Sequence, residues 1–238
     1  MNQMNMKRLV KDIQNIFKNP IDNIYYKHDE ENMYKGYAMI IGNETTPYAY
    51  GYYLFEFNFN NNYPYEPPVV TYYTNDGSTR FNPNFYINGK VCLSILNTWR
   101  GEGWTSCQSI TSILLVLSTV IHDKPLLNEP GLTENHKDYD NYNNMIAYKN
   151  IEIAIIGILT KKYLNNNFLK FYDIILETFN NNYDNIQKNL SNHREILTDN
   201  KFITFNLYNS KYLVNFELLN EKLKNLKKSE LNNLENKN

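Results

Sequence analysis

The chain has 238 residues, enough for one sizeable core and a smaller extension, and its hydrophobic fraction of 42% lies in the globular range. Lys and Arg total 24 against 25 Asp and Glu, so the net charge of -1 argues against a broad basic footprint for nucleic acid or an anionic membrane. No apolar signal core follows Met1, and the longest apolar run, Ile110 to Ile121, is broken by Thr111, Ser112, Ser118 and Thr119 and is too short to cross a bilayer. The expectation is an intracellular protein, cytoplasmic or nuclear, with no membrane or nucleic-acid partner.

Met6 to Lys18 reads as an amphipathic helix, with Leu9, Ile13, Ile16 and Phe17 on one face and Lys7, Arg8 and Lys11 on the other. Pro20 marks its end. Ile24 to Lys27, Tyr34 to Ile41 and Gly51 to Phe59 read as strands. In the third, Tyr53, Phe55, Phe57 and Phe59 alternate with Leu54, Glu56 and Asn58. Short links favour an antiparallel meander. Tyr63-Pro64-Tyr65-Glu66-Pro67-Pro68 is too rich in proline for a central strand and predicts a rigid loop, after which Val69 to Tyr73 returns as a fourth strand. Asn75 to Trp104 is irregular, with turn signals at Asp76-Gly77, Asn82-Pro83 and Asn88-Gly89; so long an irregular stretch inside a domain is usually functional. Ser106 to Ile121 follows as a helix with Thr105 or Ser106 as N-cap. Tyr142 to Tyr163, Phe168 to Leu190 and Tyr212 to Leu226 are further helices, and the polar tail after Lys227 is expected to fray. Helix, antiparallel strands, then helices indicates an α+β fold.

Chemistry concentrates in Arg80 to Leu96. The two cysteines, Cys92 and Cys107, and four scattered His have no metal-ligand spacing, and a disulfide scaffold does not suit this size. Read alone, Cys92 fits a packed small hydrophobe as well as a groove nucleophile. Its neighbours narrow the choice. Asn82-Pro83-Asn84, Asn88-Gly89 and Cys92-Leu93 stand at the spacing of the active-site signature of ubiquitin-conjugating enzymes, and the segment resembles that signature. Thr46-Pro47-Tyr48 with Gly51, the Tyr63 to Pro68 loop, and Trp104 beyond the cysteine fit the same family in order. The resemblance covers Lys7 to about residue 150. Arg80 to Asn84, Cys92 to Leu96, Thr98-Trp99 and Asn128-Glu129-Pro130-Gly131 resemble its E2 Z branch, which also carries a helical C-terminal extension. Departures are Asn82 in place of the usual His, Ser94 in place of the common Asp, and a lengthened Asn97 to Gly103 loop that adds Trp99.

The resemblance implies a ubiquitin-conjugating fold: an N-terminal helix, a four-stranded antiparallel meander, then helices. The core would occupy residues 1–160 and a helical extension residues 161–238, covering apolar surface or binding a partner. It implies that Cys92 takes ubiquitin, or a ubiquitin-like modifier, as a thioester from an activating enzyme that uses ATP, and passes it to a substrate lysine with a ligase. No cofactor or metal is bound by the chain itself. Asn84 is implied as oxyanion donor or loop brace, and Glu129 as an acidic gate for the incoming amine. Ser94, Trp99 and Asn82 belong to the modifier or acceptor groove in this reading, although packing suits Trp99 and loop support suits Asn82. Arg8, Lys11, Pro64, Tyr65, Thr105 and Ser106 match positions that touch ligases; the two cations could equally line a solvated helix face. Trp104 is expected to pack, and Cys107 to open a helix as a structural residue. A non-catalytic ubiquitin-binding module on the same fold is the alternative. A cysteine protease would require a His beside Cys92.

Overall fold

The computed structural model describes residues 3–197 and 199–235. Helix α1, Gln3–Lys18, buries the line Asn5, Leu9 and Asp12, with Ile16 partly covered one turn on. Phe17, expected on the apolar face, is exposed, because the last turn lies off this buried line. Asp12 is tolerated inside because Arg8 Nε donates to its oxygens at 3.0 and 3.1 Å and the Tyr63 hydroxyl donates to Oδ2.

Strands β1 (Ile24–His28), β2 (Lys35–Ile41), β3 (Tyr52–Asn58) and β4 (Val69–Tyr72) form an antiparallel meander in the order 1-2-3-4. The pairs Tyr26↔Ala38, Ala38↔Phe55 and Phe55↔Tyr72 set one face, which packs with Phe81 and Phe85. The alternation in β3 predicts a strand with one wet face, yet Tyr52 and Leu54 are buried as fully as Phe55 and Phe57. The cause lies about a hundred residues away. Phe168 packs its ring against Tyr37 and Tyr73, at centroid distances of 5.5 and 5.2 Å, and the Tyr52 hydroxyl donates to Ile175 O at 3.0 Å. Segment 166–175 therefore covers the second face of the sheet.

Helix α2 spans Ile110–Val120, four residues shorter at its start than the sequence suggests. Ser109, not Thr105 or Ser106, caps it, in a reciprocal arrangement with Ser112. Residues 105–108 form a turn instead, held by Gln108 N to Thr105 O, and Cys107 sits there exposed and outside the helix. Helix α3, Tyr139–Lys149, continues into a π-helical segment, Asn150–Gly157. The buried Asn150 side chain accepts from the Tyr53 hydroxyl at 2.7 Å and donates to Ala49 O at 2.8 Å. Gly51 is required opposite it, since a Cβ there would lie 1.8 Å from Asn150 Oδ1.

The C-terminal part departs further from expectation. A 3-10 turn, Asn166–Phe171, leads into α4, Tyr172–Ile196. A hairpin then forms from β5 (Phe202–Phe205) and β6 (Ser210–Leu213), so Tyr212 lies in a strand and not at the start of a helix as the sequence suggests. The helix α5 runs Phe216–Glu235, begins after the Asn215 side chain accepts from Leu218 N at 2.8 Å, and extends to Glu235 within the stretch expected to fray, whose last residues, 236–238, lie outside the described residues. The extension is thus not purely helical. One apolar cluster runs from Leu9 to Leu223, across the expected boundary at residue 160. Among the described residues no helix is long and apolar enough to cross a membrane, and no His, Cys, Asp and Glu group is placed to hold a metal ion.

Candidate active site

After β4 the chain is held by side chains more than by ladders, with isolated bridges Thr71↔Lys90, Asn82↔Phe85 and Phe85↔Val91. Gly89 turns at φ +89° and its carbonyl accepts from Tyr72 N at 2.8 Å, which returns the chain along the sheet edge. Asn82 Oδ1 accepts from Asn84 N at 2.9 Å, an Asx turn that fixes the Asn82-Pro83-Asn84 tripeptide. Two bonds then join Asn84 to Cys92: Cys92 N donates to Asn84 O at 2.9 Å, and Asn84 Nδ2 donates to Cys92 O at 2.7 Å. The signature spacing has a geometric meaning, because it lets this asparagine clamp the cysteine backbone from both sides.

The thiol of Cys92 donates to Thr98 O at 3.0 Å, and the residue is 4% exposed. The carbonyl it meets belongs to the lengthened loop. Leu93 to Asn97 folds as a 3-10 turn that ends with Asn97 in the left-handed region at φ 56°. Thr98 Oγ1 accepts from Leu93 N at 2.9 Å and lies 2.8 Å from Val91 O, so the threonine ties the lengthened loop to the cysteine strand. Residues 97–103 are exposed, and Trp99 is 49% exposed. A groove of about 340 Å³ opens beside the site, lined by Pro67, Val69, Lys90, Val91, Leu96 and Thr98 among others. No His bonds to Cys92. His28 meets Tyr26 and Met33, His122 meets Asn128 and Lys124, His136 meets Asp138, and His193 Nδ1 is buried with no partner. A cysteine–histidine protease dyad is therefore absent among the described residues.

A family model described as ubiquitin-conjugating enzyme matches residues 8–153, over the sheet, the clamped cysteine and α2. The chain belongs to the ubiquitin-conjugating enzyme family. Ubiquitin-conjugating enzyme E2 Z of Xenopus tropicalis is 39% identical over 70% of this chain and 57% of its own length, and that of Homo sapiens is 39% identical over 70% and 50%. A probable ubiquitin-conjugating enzyme, protein 17 of Caenorhabditis elegans, is 35% identical over 65% of this chain and 23% of its own. A solved ubiquitin conjugating enzyme E2 from Plasmodium falciparum is 28% identical, covering 48% of this chain and 96% of that one with a TM-score of 0.43. Within the family the likeness is to the E2 Z branch, and this chain spans about half the length of those curated relatives.

In this ubiquitin-conjugating enzyme chain the expected site residues separate into groups. Cys92 and Asn84 are joined as described, and Ser94 opens the 3-10 turn beside them, where a Cβ on Gly101 would lie 3.2 Å from its own Cβ. Asn82, expected in the groove, is fully buried; its Nδ2 donates to the Tyr48 hydroxyl and to Val120 O, so it supports the loop. Trp99 stands out in solvent rather than packing, while Trp104 packs and donates Nε1 to Pro64 O at 2.7 Å. Arg8 is not a free cation on a wet face. Nη1 donates to Ser106 O at 2.7 Å and Nη2 to Gln108 O at 2.5 Å, tying α1 to the turn before α2. Pro64 is buried, Tyr65 and Thr105 are exposed, and Lys11 is exposed one turn beyond Arg8. Arg8, Pro64, Trp104 and Ser106 are thus linked at one end of the molecule.

Glu129 has a partner that the sequence does not signal. Its Oε2 accepts from the Tyr208 hydroxyl, which lies in the turn between β5 and β6. Burial first, and then the adjacent Glu129 carboxylate, push the Tyr208 phenol well above its ordinary value, so it remains a donor. Thr98 stands in the sequence only as part of the Thr98-Trp99 resemblance, and its bonds to Val91 and Leu93 carry no pattern of their own.

Proposed function

We propose that the chain accepts ubiquitin, or a ubiquitin-like modifier, as a thioester on Cys92 from an activating enzyme, and transfers it to a lysine of a protein substrate with a ligase. The observation that carries this reading is the two-sided clamp of Asn84 on Cys92 beneath an exposed loop, with no histidine in reach of the sulfur. A protease must generate a strong nucleophile against an amide. A thioester carrier only exchanges one sulfur for another, a nearly isoenergetic step. A thiol with an ordinary pKa of about 8.5 is already a few per cent thiolate near neutral pH, and that suffices.

To react, the sulfur leaves Thr98 O, its proton passes to solvent, and the thiolate attacks the modifier's thioester carbonyl. Thr98 and the 97–103 loop thereby gate the site. In the second step a lysine amine attacks, and a free amine with pKa about 10.4 is neutral less than about one time in a thousand at pH 7. The acceptor side must therefore orient or desolvate it. Asn84 Nδ2 uses one hydrogen on Cys92 O, which makes bracing its resting role, and its second hydrogen suits a developing oxyanion. The groove along Pro67 to Thr71 offers room for an extended polypeptide tail. The linked end carrying Pro64, Tyr65, Thr105 and Ser106 is the surface assigned to a ligase, with Arg8 as its internal strut and Lys11 on its rim. The chain itself needs no cofactor in this reading, and ATP is consumed by the activating enzyme.

Incubation with activating enzyme, ATP and ubiquitin tests this. A reductant-sensitive adduct is expected on the wild type, none on Cys92→Ala, and a reductant-resistant ester on Cys92→Ser. An adduct that persists in Cys92→Ala refutes the assignment.

A further inference from the structure

The segment that carries the active-site tripeptide is closed at its base by one cation. Tyr142, fully buried on α3, donates its hydroxyl to Arg80 O at 2.9 Å and so fixes the Arg80 backbone. The side chain turns back onto its own loop, where Nη2 donates to Pro83 O at 2.6 Å, inside Asn82-Pro83-Asn84. The guanidinium lies against two rings, 3.6 Å from the centroid of Tyr86 and 4.6 Å from that of Tyr208. Tyr86 sits on the return of the same loop, held by Tyr86 N to Lys90 O and Gly89 N to Tyr86 O, both at 2.9 Å. Tyr208 comes from the turn between β5 and β6, which Leu207 N anchors on Asp138 Oδ2 at 3.1 Å, at the start of α3. Its φ of 57° and ψ of 18° form a left-handed conformation that an aromatic residue adopts only under constraint. Arg80 Nε is buried with no partner, and among the described residues no carboxylate pairs with the guanidinium. The two rings and the Pro83 carbonyl hold it instead.

We propose that Arg80 is a positioning residue for the Cys92 sulfur, and that the C-terminal hairpin contributes to it through the Tyr208 ring; this rests on the thioester reading above. Pro83 passes directly into Asn84, whose backbone carbonyl holds Cys92 N and whose side-chain amide holds Cys92 O. Fixing Pro83 O therefore sets where the clamp stands, and the clamp sets where the sulfur stands. Stacking on the two rings keeps the planar fork of the guanidinium in reach of Pro83. A sulfur displaced from its line of attack reacts more slowly with no change in its chemistry. The same atom serves both steps. In loading it forms the new C–S bond while the activating enzyme's sulfur leaves as thiolate. In transfer the amine forms the C–N bond, the Cys92 sulfur leaves as thiolate, and the surplus amine proton passes to water. Arg80 therefore acts on both steps alike.

Two measurements on the full chain test this. The first needs no modifier: amide hydrogen exchange of the uncharged protein, read on the peptide covering residues 84–92, where Cys92 N is bonded to Asn84 O. Arg80→Lys keeps the charge and gives up the planar fork. Exchange there should rise about tenfold, the loss of one charge-assisted bond, and stay unchanged in β2 and β3. Tyr208→Leu should give a smaller rise, about threefold, since one ring is lost. Tyr208→Phe keeps the ring and should match the wild type. The second measurement is single-turnover kinetics of loading with ubiquitin from the activating enzyme and of discharge to free lysine. In Arg80→Lys both maximal rates should fall about tenfold, with the half-saturating concentrations of activating enzyme and lysine unchanged. Asn84→Ala should slow both steps, and Arg80→Lys should add nothing in that background, since one acts through the other. Unaltered exchange at residues 84–92 in Arg80→Lys overturns the proposal, as does faster exchange that extends to β2 and β3. So does a loss confined to one step, a full additional loss on Asn84→Ala, or a Tyr208→Phe variant as impaired as Tyr208→Leu. A wild type that never charges sinks the thioester reading instead, and the exchange result is independent of that failure.

Discussion

Replacing Phe168 by Ala removes the side chain that roofs the sheet. Phe168 is fully buried and meets Tyr37 edge-on at 5.5 Å and Tyr73 at 5.2 Å. A buried Phe→Ala change costs about 3–5 kcal/mol, the lost transfer energy plus the cavity left behind. At roughly 2–4 °C per kcal/mol for a chain of this size, the midpoint of thermal unfolding should fall by about 6–20 °C. Phe168→Leu, which keeps most of the volume, should cost less than half as much. Thermal and urea unfolding followed by far-UV circular dichroism would measure both. Because the cluster from Leu9 to Leu223 is continuous, wild type and variant should each unfold in one transition. A loss below about 1 kcal/mol, or a second transition in the wild type, would refute the view that segment 166–175 and the sheet share a core.

Three further outcomes are expected. Asn150→Ala strands the Tyr53 hydroxyl and the Ala49 carbonyl inside the protein, and at about 1–3 kcal/mol for each unsatisfied group it should destabilise by roughly 2–6 kcal/mol, read from urea midpoints. In the uncharged protein an alkylating agent should label exposed Cys107 well before Cys92, whose thiol is covered and bonded to Thr98 O; intact mass and peptide mapping over time would reveal the order. Burial holds the His193 imidazole below its ordinary value of 6.5, and burial also lowers His28. The unfolded chain therefore takes up these protons first, so their contribution is fully present above pH 6.5 and is lost as pH falls toward the folded values. His193→Gln should flatten, without abolishing, the decline of stability below that pH.

The sheet and the pairing of Asn84 with Cys92 were legible in the sequence because both depend on local order. Alternation gave β3, and short runs between turn residues gave β1, β2 and β4, while the spacing from Asn84 to Cys92 encoded a contact that closes locally. Burial of Leu54 and Glu56 was not legible, since alternation describes one strand and not what settles on it from Phe168 and Ile175. The hairpin was not legible because Tyr212 stands at helical spacing from Phe216, Leu219 and Leu223, and only the Asn215 cap marks where the helix begins. The start of α2 shifted for a similar reason: Arg8, far away in the chain, takes the carbonyls of Ser106 and Gln108 and holds them in a turn. Tyr208 had no local signal at all. Its contacts with Glu129 and Arg80 come from where a two-stranded ribbon happens to end in space.

A sheet sealed on its back binds two distant stretches of sequence into one unit of inheritance. Enlarging Tyr37 or Tyr52 calls for a compensating trim near Phe168 or Ile175, so drift in either layer is answerable to the other. Variation between species should accordingly run in matched pairs across that seam, and a graft of the first 160 residues onto a foreign tail would carry aromatic surface with nothing shaped to meet it.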